Sequence, residues 1–66
     1  MKNSIKVERA RNEFTQTDLA EKVGVTRLTI HSIETGKFNP SIILALKMAQ
    51  CFGVTVEELF ELENDD

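Results

Sequence analysis

The stretch GVTRLTIHSIETGK, residues 24–37, carries side chains that could read the edges of base pairs. On a helix that turns by about 100° per residue, Ile30 and Ile33 share one face and Leu28 lies nearly opposite them. Burying the two isoleucines therefore exposes Leu28, with Arg27 near its border. Arginine can make a bidentate contact to guanine, and an apolar side chain can lie against a thymine methyl group.

Two short helices and a tight turn position this face. Residues 16–23 and 27–35 have helical spacing, and the turn at 24–26 begins with Gly24. Glycine permits backbone angles that a side chain resists, and the small Ala20 lets the second helix approach the first closely. The pattern predicts a helix-turn-helix over about residues 16–35.

The rest of the chain has equally clear helix boundaries. Glycines follow three of the predicted helices, and Ser or Thr precedes four of them, two with an acidic residue three positions later. We therefore expect an all-α fold with helices near 4–12, 16–23, 27–35, 42–52 and 56–60, and a possible short strand at 60–63. The tail at 63–66 is expected to fray.

Helical spacing predicts a core of Ile5, Phe14, Leu19, Ala20, Val23, Val25, Ile30, Ile33, Leu44, Leu46, Met48, Ala49, Phe52, Val56, Leu59 and Phe60.

Length and charge limit the functional classes. The 66 residues are enough for one domain, 1–66, and a domain of this size is marginally stable unless it pairs with a copy. The net charge of −3 at first argues against a nucleic acid partner. Residues 1–40, however, hold seven basic and five acidic side chains, whereas the remainder holds one basic and six acidic ones. This asymmetry indicates a surface for a polyanion at one end of the molecule, although solvated faces alone would also explain it.

Several kinds of site are not expected. One cysteine, Cys51, and one histidine, His31, are too few for a disulfide framework or a Cys/His metal site. We find no phosphate loop and no nucleophile with a general base, so we expect no enzyme, cofactor or small-molecule ligand. No apolar stretch is long enough for a signal peptide or a membrane span, which predicts a cytoplasmic protein.

The spacing of residues 16–40, QTDLAEKVGVTRLTIHSIETGKFNP, resembles the DNA-binding core of the Cro/CI-type (Xre) family of transcriptional regulators. The likeness continues through PSIILALKMAQCFGVTVEELF and so covers nearly the whole chain. It implies the five-helix fold of a phage-repressor domain, with the helix at 27–35 in the major groove of double-stranded DNA.

The same resemblance implies particular site residues. Base contacts are expected from Arg27, Leu28, Thr29, His31 and Ser32. Phosphate contacts are expected from Gln16, Thr26, Lys37 and Asn39. Arg9 and Glu34 stand where many relatives pair the first and third helices in a partly buried ion pair.

A homodimer is also implied, since the family binds paired half-sites about 34 Å apart. Its expected contact surface is Val54, Val56, Phe60 and Leu62, although Phe60 could instead close the core of its own chain.

Three residues depart from the family pattern. Glu8 is polar where relatives are apolar, Glu13 replaces a helix-ending glycine and predicts a strained or shifted helix end, and Ile43 is unusually apolar for a surface position. Ile43 is either an isolated surface residue or part of a contact with another chain.

The predicted function is a sequence-specific DNA-binding regulator, most simply a repressor that occupies a promoter as a dimer. Two alternatives remain open. One is an antitoxin with the same DNA-binding domain and a surface for a toxin. The other is a protein-interaction module that kept the fold and lost DNA binding, which the acidic net charge favours and Arg27 and Lys37 oppose.

Overall fold

Five helices and a two-stranded sheet make up the fold. The computed structural model describes residues 1–66. The elements are β1 (Lys2–Asn3), α1 (Ile5–Arg11), α2 (Gln16–Val23), α3 (Arg27–Glu34), α4 (Ile42–Phe52), α5 (Val56–Leu59) and β2 (Phe60–Glu61). All five predicted helices are present, and their ends differ from the prediction by at most one residue. None of them has both the length and the apolar composition that crossing a bilayer requires.

The helix starts are set by side chains close to them in sequence. Thr15 and Asp18 form a complete capping box at α2: the Thr15 amide donates to the Asp18 carboxylate at 2.8 Å, and the Asp18 amide donates to the Thr15 hydroxyl at 3.0 Å. Thr55 and Glu58 form the same arrangement at α5. These local hydrogen bonds satisfy amides that have no partner within the helix, which is why the sequence predicts the starts so closely.

The C-terminal end of α1 differs from the ends of α2 and α4 in the residue that adopts the left-handed conformation. Gly24 ends α2 and Gly53 ends α4 in the left-handed conformation, with φ of 77° and 69°. After α1 the left-handed residue is Glu13, with φ of 57°, and it is the only residue other than glycine with positive φ. The predicted strain at this position is present, because a Cβ atom crowds the backbone there.

Thirteen apolar residues form one core. Most of the predicted core is confirmed, including Ile5, Leu19 and Met48, each 0% exposed. The prediction was wrong about Leu46, which is 48% exposed, and it missed the buried Ala45. The inward face of α4 runs through residues 44, 45, 48, 49 and 52, and one further step of about 100° carries residue 46 outward.

The small sheet joins the two ends of the chain. β1 pairs antiparallel with β2, with Lys2 opposite Glu61 and Asn3 opposite Phe60. The sequence indicated a strand at 60–63 but not β1, because a two-residue strand shows no alternation of apolar residues. The tail also differs from the prediction, because the amino group of Met1 lies 3.0 Å from carboxylate oxygens of both Glu63 and Asp66.

Candidate nucleic-acid interface

The turn between α2 and α3 sets the direction of α3. Gly24 adopts the left-handed conformation, and the Val25 amide then donates back to the Ala20 carbonyl at 2.9 Å. Thr26 caps α3 by accepting from the Thr29 amide at 3.2 Å. Ala20 is only 3% exposed, and its small side chain belongs to the core. A tight turn and a close helix contact together determine which face of α3 is outward.

The outward face of α3 carries the side chains that the sequence predicts there. Ile30 and Ile33 are buried at 0% and 2% exposure and anchor α3 to the core. On the opposite side Leu28 is 65% exposed, and Arg27 and His31 are also exposed. Thr29 and Ser32 are half-buried at the edges of this face. A large apolar side chain in this position is a surface available for contact.

An ion pair fastens α3 to α1. Arg9 Nε lies 2.8 Å from Glu34 Oε2, and Arg9 Nη2 donates to Glu34 Oε1 at 3.2 Å, so the contact is bidentate. Arg9 also donates to the Phe14 carbonyl at 3.0 Å, between α1 and α2. The side chains of Arg9 and Glu34 are 15% and 8% exposed. The pair therefore holds α1 and α3 together at the edge of the core, and Arg9 also fixes the loop before α2.

Gln16 connects the ion pair to the outward face. Its Oε1 accepts from Arg27 Nη1 at 3.1 Å, and its Nε2 lies 3.3 Å from His31 Nδ1 and 3.5 Å from Glu34 Oε1. Because the amide oxygen faces Arg27, the amide nitrogen faces His31, which assigns the acceptor role to His31 Nδ1. Gln16 is itself a predicted phosphate-contacting residue, and it contacts two predicted base-contacting residues, Arg27 and His31.

Polar side chains form a groove on this side of α3. It is lined by Asn3, Lys6, Arg9, Gln16, Arg27, His31, Glu34 and Thr35. Asn3 and Lys6 were not among the predicted site residues. Nothing in the sequence near them resembles a binding motif, and only the folding of the amino-terminal segment against α3 places them there.

A second groove lies on the other side of α3 and is lined by Leu28, Thr29, Ser32, Lys37 and Phe38. The backbone amides of Lys37 and Phe38 donate to the Ser32 carbonyl at 2.9 and 3.2 Å, which folds the loop after α3 back along the helix. Phe38 is 53% exposed and was not among the predicted site residues. An exposed aromatic residue between a lysine and the Asn-Pro turn was the available signal.

Other predicted residues lie apart from these grooves. Asn39 is exposed in the loop before α4 and lines neither groove. Val54 and Val56 pack half-buried against the core, and Leu62 is 77% exposed. Phe60 is only 8% exposed and closes the core of its own chain, which favours the second of the two interpretations of that residue.

Comparisons with known proteins agree with this geometry. The family model described as Helix-turn-helix matches residues 5–59. Over 66 residues the chain is 52% identical to a protein of Methanocaldococcus jannaschii named uncharacterized HTH-type transcriptional regulator MJ0272, and the match covers 100% of both chains.

Solved structures show the same fold. The N-terminal DNA-binding domain of SinR from Bacillus subtilis superposes with a TM-score of 0.78 and 33% identity, over 91% of this chain and 88% of that one. A structure of SinR, the master regulator for biofilm formation, in complex with DNA gives a TM-score of 0.73 and 35% identity, over 80% of this chain and 86% of that one. The expected five-helix fold is thereby confirmed.

Proposed function

The chain belongs to the helix-turn-helix family of transcriptional regulators, which bind double-stranded DNA, and on that premise we propose that it reads a specific DNA sequence with α3 in the major groove. The observation that supports this proposal is the exposure of the outward face of α3, where Leu28 is 65% exposed while Ile30 and Ile33 anchor the helix. An exposed leucine of this kind is explained if a DNA base covers it in the complex.

Base contacts come from Arg27, Leu28, Thr29, His31 and Ser32 in this proposal. Arg27 is already held by Gln16 before DNA arrives, so less side-chain freedom is lost on binding. Arg27 contacts guanine through its donor fork, and Leu28 contacts a thymine methyl group, with Phe38 as its apolar neighbour across the groove.

Phosphate contacts come from Gln16, Thr26, Lys37 and Asn39. Gln16 and Thr26 stand at the starts of α2 and α3, where unpaired amides and the helix dipole favour an anion. Lys37 is exposed beside the second groove and supplies a full positive charge. These contacts set the register of α3 on the duplex and carry no sequence information themselves.

We propose that the binding species is a homodimer. A two-fold pair of copies matches paired half-sites, and the 66-residue chain exposes several large apolar side chains. Of the expected contact residues, Leu62 has the most exposed surface to offer, with Val54 and Val56 beside the core. A second apolar surface lies on α4, where Ile42, Ile43 and Leu46 are 69%, 63% and 48% exposed.

Point variants distinguish the two dimer surfaces. Leu62→Glu and Ile43→Glu both introduce a charge at an exposed position, so neither disturbs the core. If Leu62 is in the contact, only Leu62→Glu shifts the sedimentation equilibrium toward monomer, and Ile43→Glu does so if α4 is the contact. A chain that is monomeric at every concentration, with and without DNA, contradicts the homodimer.

The regulatory outcome that we propose is repression, with the dimer excluding polymerase from a promoter. Single-round transcription from a promoter that overlaps the bound site should fall as protein is added. Increased transcription would instead identify an activator. An antitoxin would be distinguished by a stable complex with the product of a neighbouring gene.

The test of DNA recognition starts from a pool of random duplexes, enriched by rounds of binding to the protein. The enriched duplex and a random duplex are then titrated at several salt concentrations. We expect at least about 1000-fold preference for the enriched duplex, with both affinities falling as salt rises. Failure to enrich any sequence, with no binding at low salt, would contradict the proposal and favour a protein-interaction module.

Matched variants assign the contacts. Lys37→Ala should reduce the slope of log affinity against log salt by about 1, because one phosphate contact is lost. Lys47→Ala removes the same charge from the outward side of α4, where we place no DNA contact, and should leave the slope unchanged. Equal effects of the two variants would show only a general effect of charge.

A further inference from the structure

Asn3 makes three hydrogen bonds that no part of the proposed function uses. Its Nδ2 donates to the Ile33 carbonyl at 3.0 Å and lies 3.5 Å from the Glu34 carbonyl, and its Oδ1 accepts from the Ile5 amide at 3.2 Å. Ile33 and Glu34 are the last two residues of α3, and Ile5 is the first of α1. One side chain therefore joins the start of α1 to the end of α3.

The end of a helix leaves carbonyl groups without partners inside the helix, and donors from outside the helix bond to them and fix the helix end. The Ile33 carbonyl accepts from the Gly36 amide of the following turn and from Asn3. Asn3 supplies such a donor from a different element. Its own backbone is held in turn, since Asn3 pairs with Phe60 in the sheet and the next amide, Ser4, donates to the Leu59 carbonyl at 2.9 Å.

We propose that Asn3 is a positioning residue for sequence recognition, and that it sets the orientation of α3 by fastening its last turn to the terminal sheet. Asn3 thus attaches α3 to β1, beside the Arg9–Glu34 pair that attaches it to α1 and the Gln16 hydrogen bonds that attach it to α2. Base contacts depend on orientation more strictly than phosphate contacts do, because groove-edge hydrogen bonds are directional. Loss of the Asn3 attachment therefore reduces discrimination between sequences more than it reduces general DNA binding.

The inference rests on the proposed function, and the experiment separates the two. Asn3→Ala is compared with Asn12→Ala, because Asn12 also donates from Nδ2 to a helix carbonyl, that of Glu8 at 2.8 Å, but at the end of the helix that directly precedes it, α1. For each variant the affinity is measured for the enriched duplex and for a random duplex, at protein concentrations corrected for the folded fraction from urea unfolding.

Asn3→Ala should lower the affinity ratio of enriched to random duplex by about 5- to 10-fold, the loss expected for one net hydrogen bond. Affinity for random duplex and its salt slope should stay within about twofold of the wild type, since no phosphate contact is removed. Asn12→Ala should leave the ratio unchanged. An unchanged ratio in Asn3→Ala, or equal losses on both duplexes, would overturn the role of Asn3.

A second pair of variants covers the case in which Asn3→Ala does not fold. Asn3→Asp keeps the acceptor for the Ile5 amide, removes the donor to α3 and adds a negative charge, and Asn12→Asp is the control that adds the same charge elsewhere. Asn3→Asp alone should lower the affinity ratio.

A measurement without DNA distinguishes failure of this inference from failure of the proposed function. The Gly36 amide donates to the Ile33 carbonyl at 3.1 Å, beside Asn3. Its hydrogen exchange should be faster in Asn3→Ala than in Asn12→Ala at equal global stability. Faster exchange with no DNA preference in the wild type would leave the attachment standing and refute only the DNA function. Unchanged exchange would refute the attachment itself.

Discussion

Leu28 is the residue that argues most directly for base recognition, because its exposure has no benefit in the unbound protein. The methyl group that we propose it contacts is absent from uracil, which otherwise presents the same edge as thymine. The effect of the leucine and that of the methyl group should therefore be coupled.

We expect Leu28→Ala to lose about fivefold in affinity for the enriched duplex, in keeping with roughly 1 kcal/mol for a buried methyl contact. Replacing the contacted thymine by uracil should cost the wild type a similar factor and cost Leu28→Ala nothing further. Val7→Ala, at an apolar position of α1 that is 53% exposed, is the control and should bind as the wild type does. Additive losses from leucine and methyl group would exclude the contact.

Glu13 stores strain that a different residue would relieve. A residue with a Cβ costs roughly 1–2 kcal/mol in the left-handed conformation, and a glycine loses about 0.4–1 kcal/mol more than alanine through the entropy of the unfolded chain. Glu13→Gly should therefore stabilise the protein by about 0.5–1 kcal/mol in urea unfolding. Glu21→Gly, in the exposed interior of α2, should instead destabilise it by about 1 kcal/mol. A loss of stability in both variants would show that Glu13 is not strained.

At the scale of elements, the capping boxes make the helix starts sensitive to acid. Asp18 accepts hydrogen bonds from Thr15, first from its backbone amide, and these hold the pKa of the carboxyl below its ordinary value of 3.8. Because the folded pKa is the lower one, the stabilisation is present above pH 3.8 and is lost as the pH falls through the folded pKa.

We therefore expect the difference in Tm between the wild type and Asp18→Asn to be largest near pH 6 and to shrink as the pH approaches 2.5. Glu21→Gln, on the same helix but without a capping contact, is the control for the loss of one acidic side chain from α2. Thermal unfolding followed by circular dichroism over this range measures the effect. A difference in Tm that does not vary with pH would argue against an ionised cap.

The Arg9–Glu34 pair governs how α1 and α3 are held together. Glu34→Ala leaves an arginine that is 15% exposed without its carboxylate partner, and for this partly buried pair we expect a loss of about 1–3 kcal/mol. Glu8→Ala is the matched control, because the arginine that it leaves without a partner, Arg11 at 3.4 Å, is 71% exposed. Glu8→Ala should cost less than about 1 kcal/mol. Equal losses in urea unfolding would mean that the Arg9–Glu34 pair has no special structural role.

At the scale of the whole molecule, the two termini are joined by charge as well as by the sheet. Hydrogen bonds to Asp66 and then to Glu63 raise the pKa of the Met1 amino group above its ordinary value of 8.0. Because the folded pKa is the higher one, this stabilisation is present below pH 8 and is lost as the pH rises through the folded pKa.

The stability of the 66-residue chain should accordingly fall over the interval above pH 8 in which the amino group loses its proton. Asp66→Asn should start from a lower Tm at pH 7 and lose less over this interval. Asp65→Asn, in the same exposed tail but without a contact to Met1, should follow the wild type. Parallel curves for all three proteins would show that the contact contributes nothing in solution.

Features that depend on neighbours along the chain could be predicted from the residues alone. The five helices begin and end at residues such as Thr15, Gly24 and Thr55 because capping hydrogen bonds and left-handed turns span only a few positions. The exposure of Leu28 followed from helical periodicity alone. The resemblance to a known family supplied the contact residues, which remain proposals.

Features that join distant segments became known from the folded arrangement. The pairing of β1 with β2, the attachment of Asn3 to the end of α3 and the network around Gln16 each link residues far apart in the chain. It also buried Ala45 and exposed Leu46. No local pattern encodes such choices, because they depend on which surfaces meet once the helices pack. Side-chain hydrogen bonds reach only about 3 Å, so their partners are known only when the packing is known.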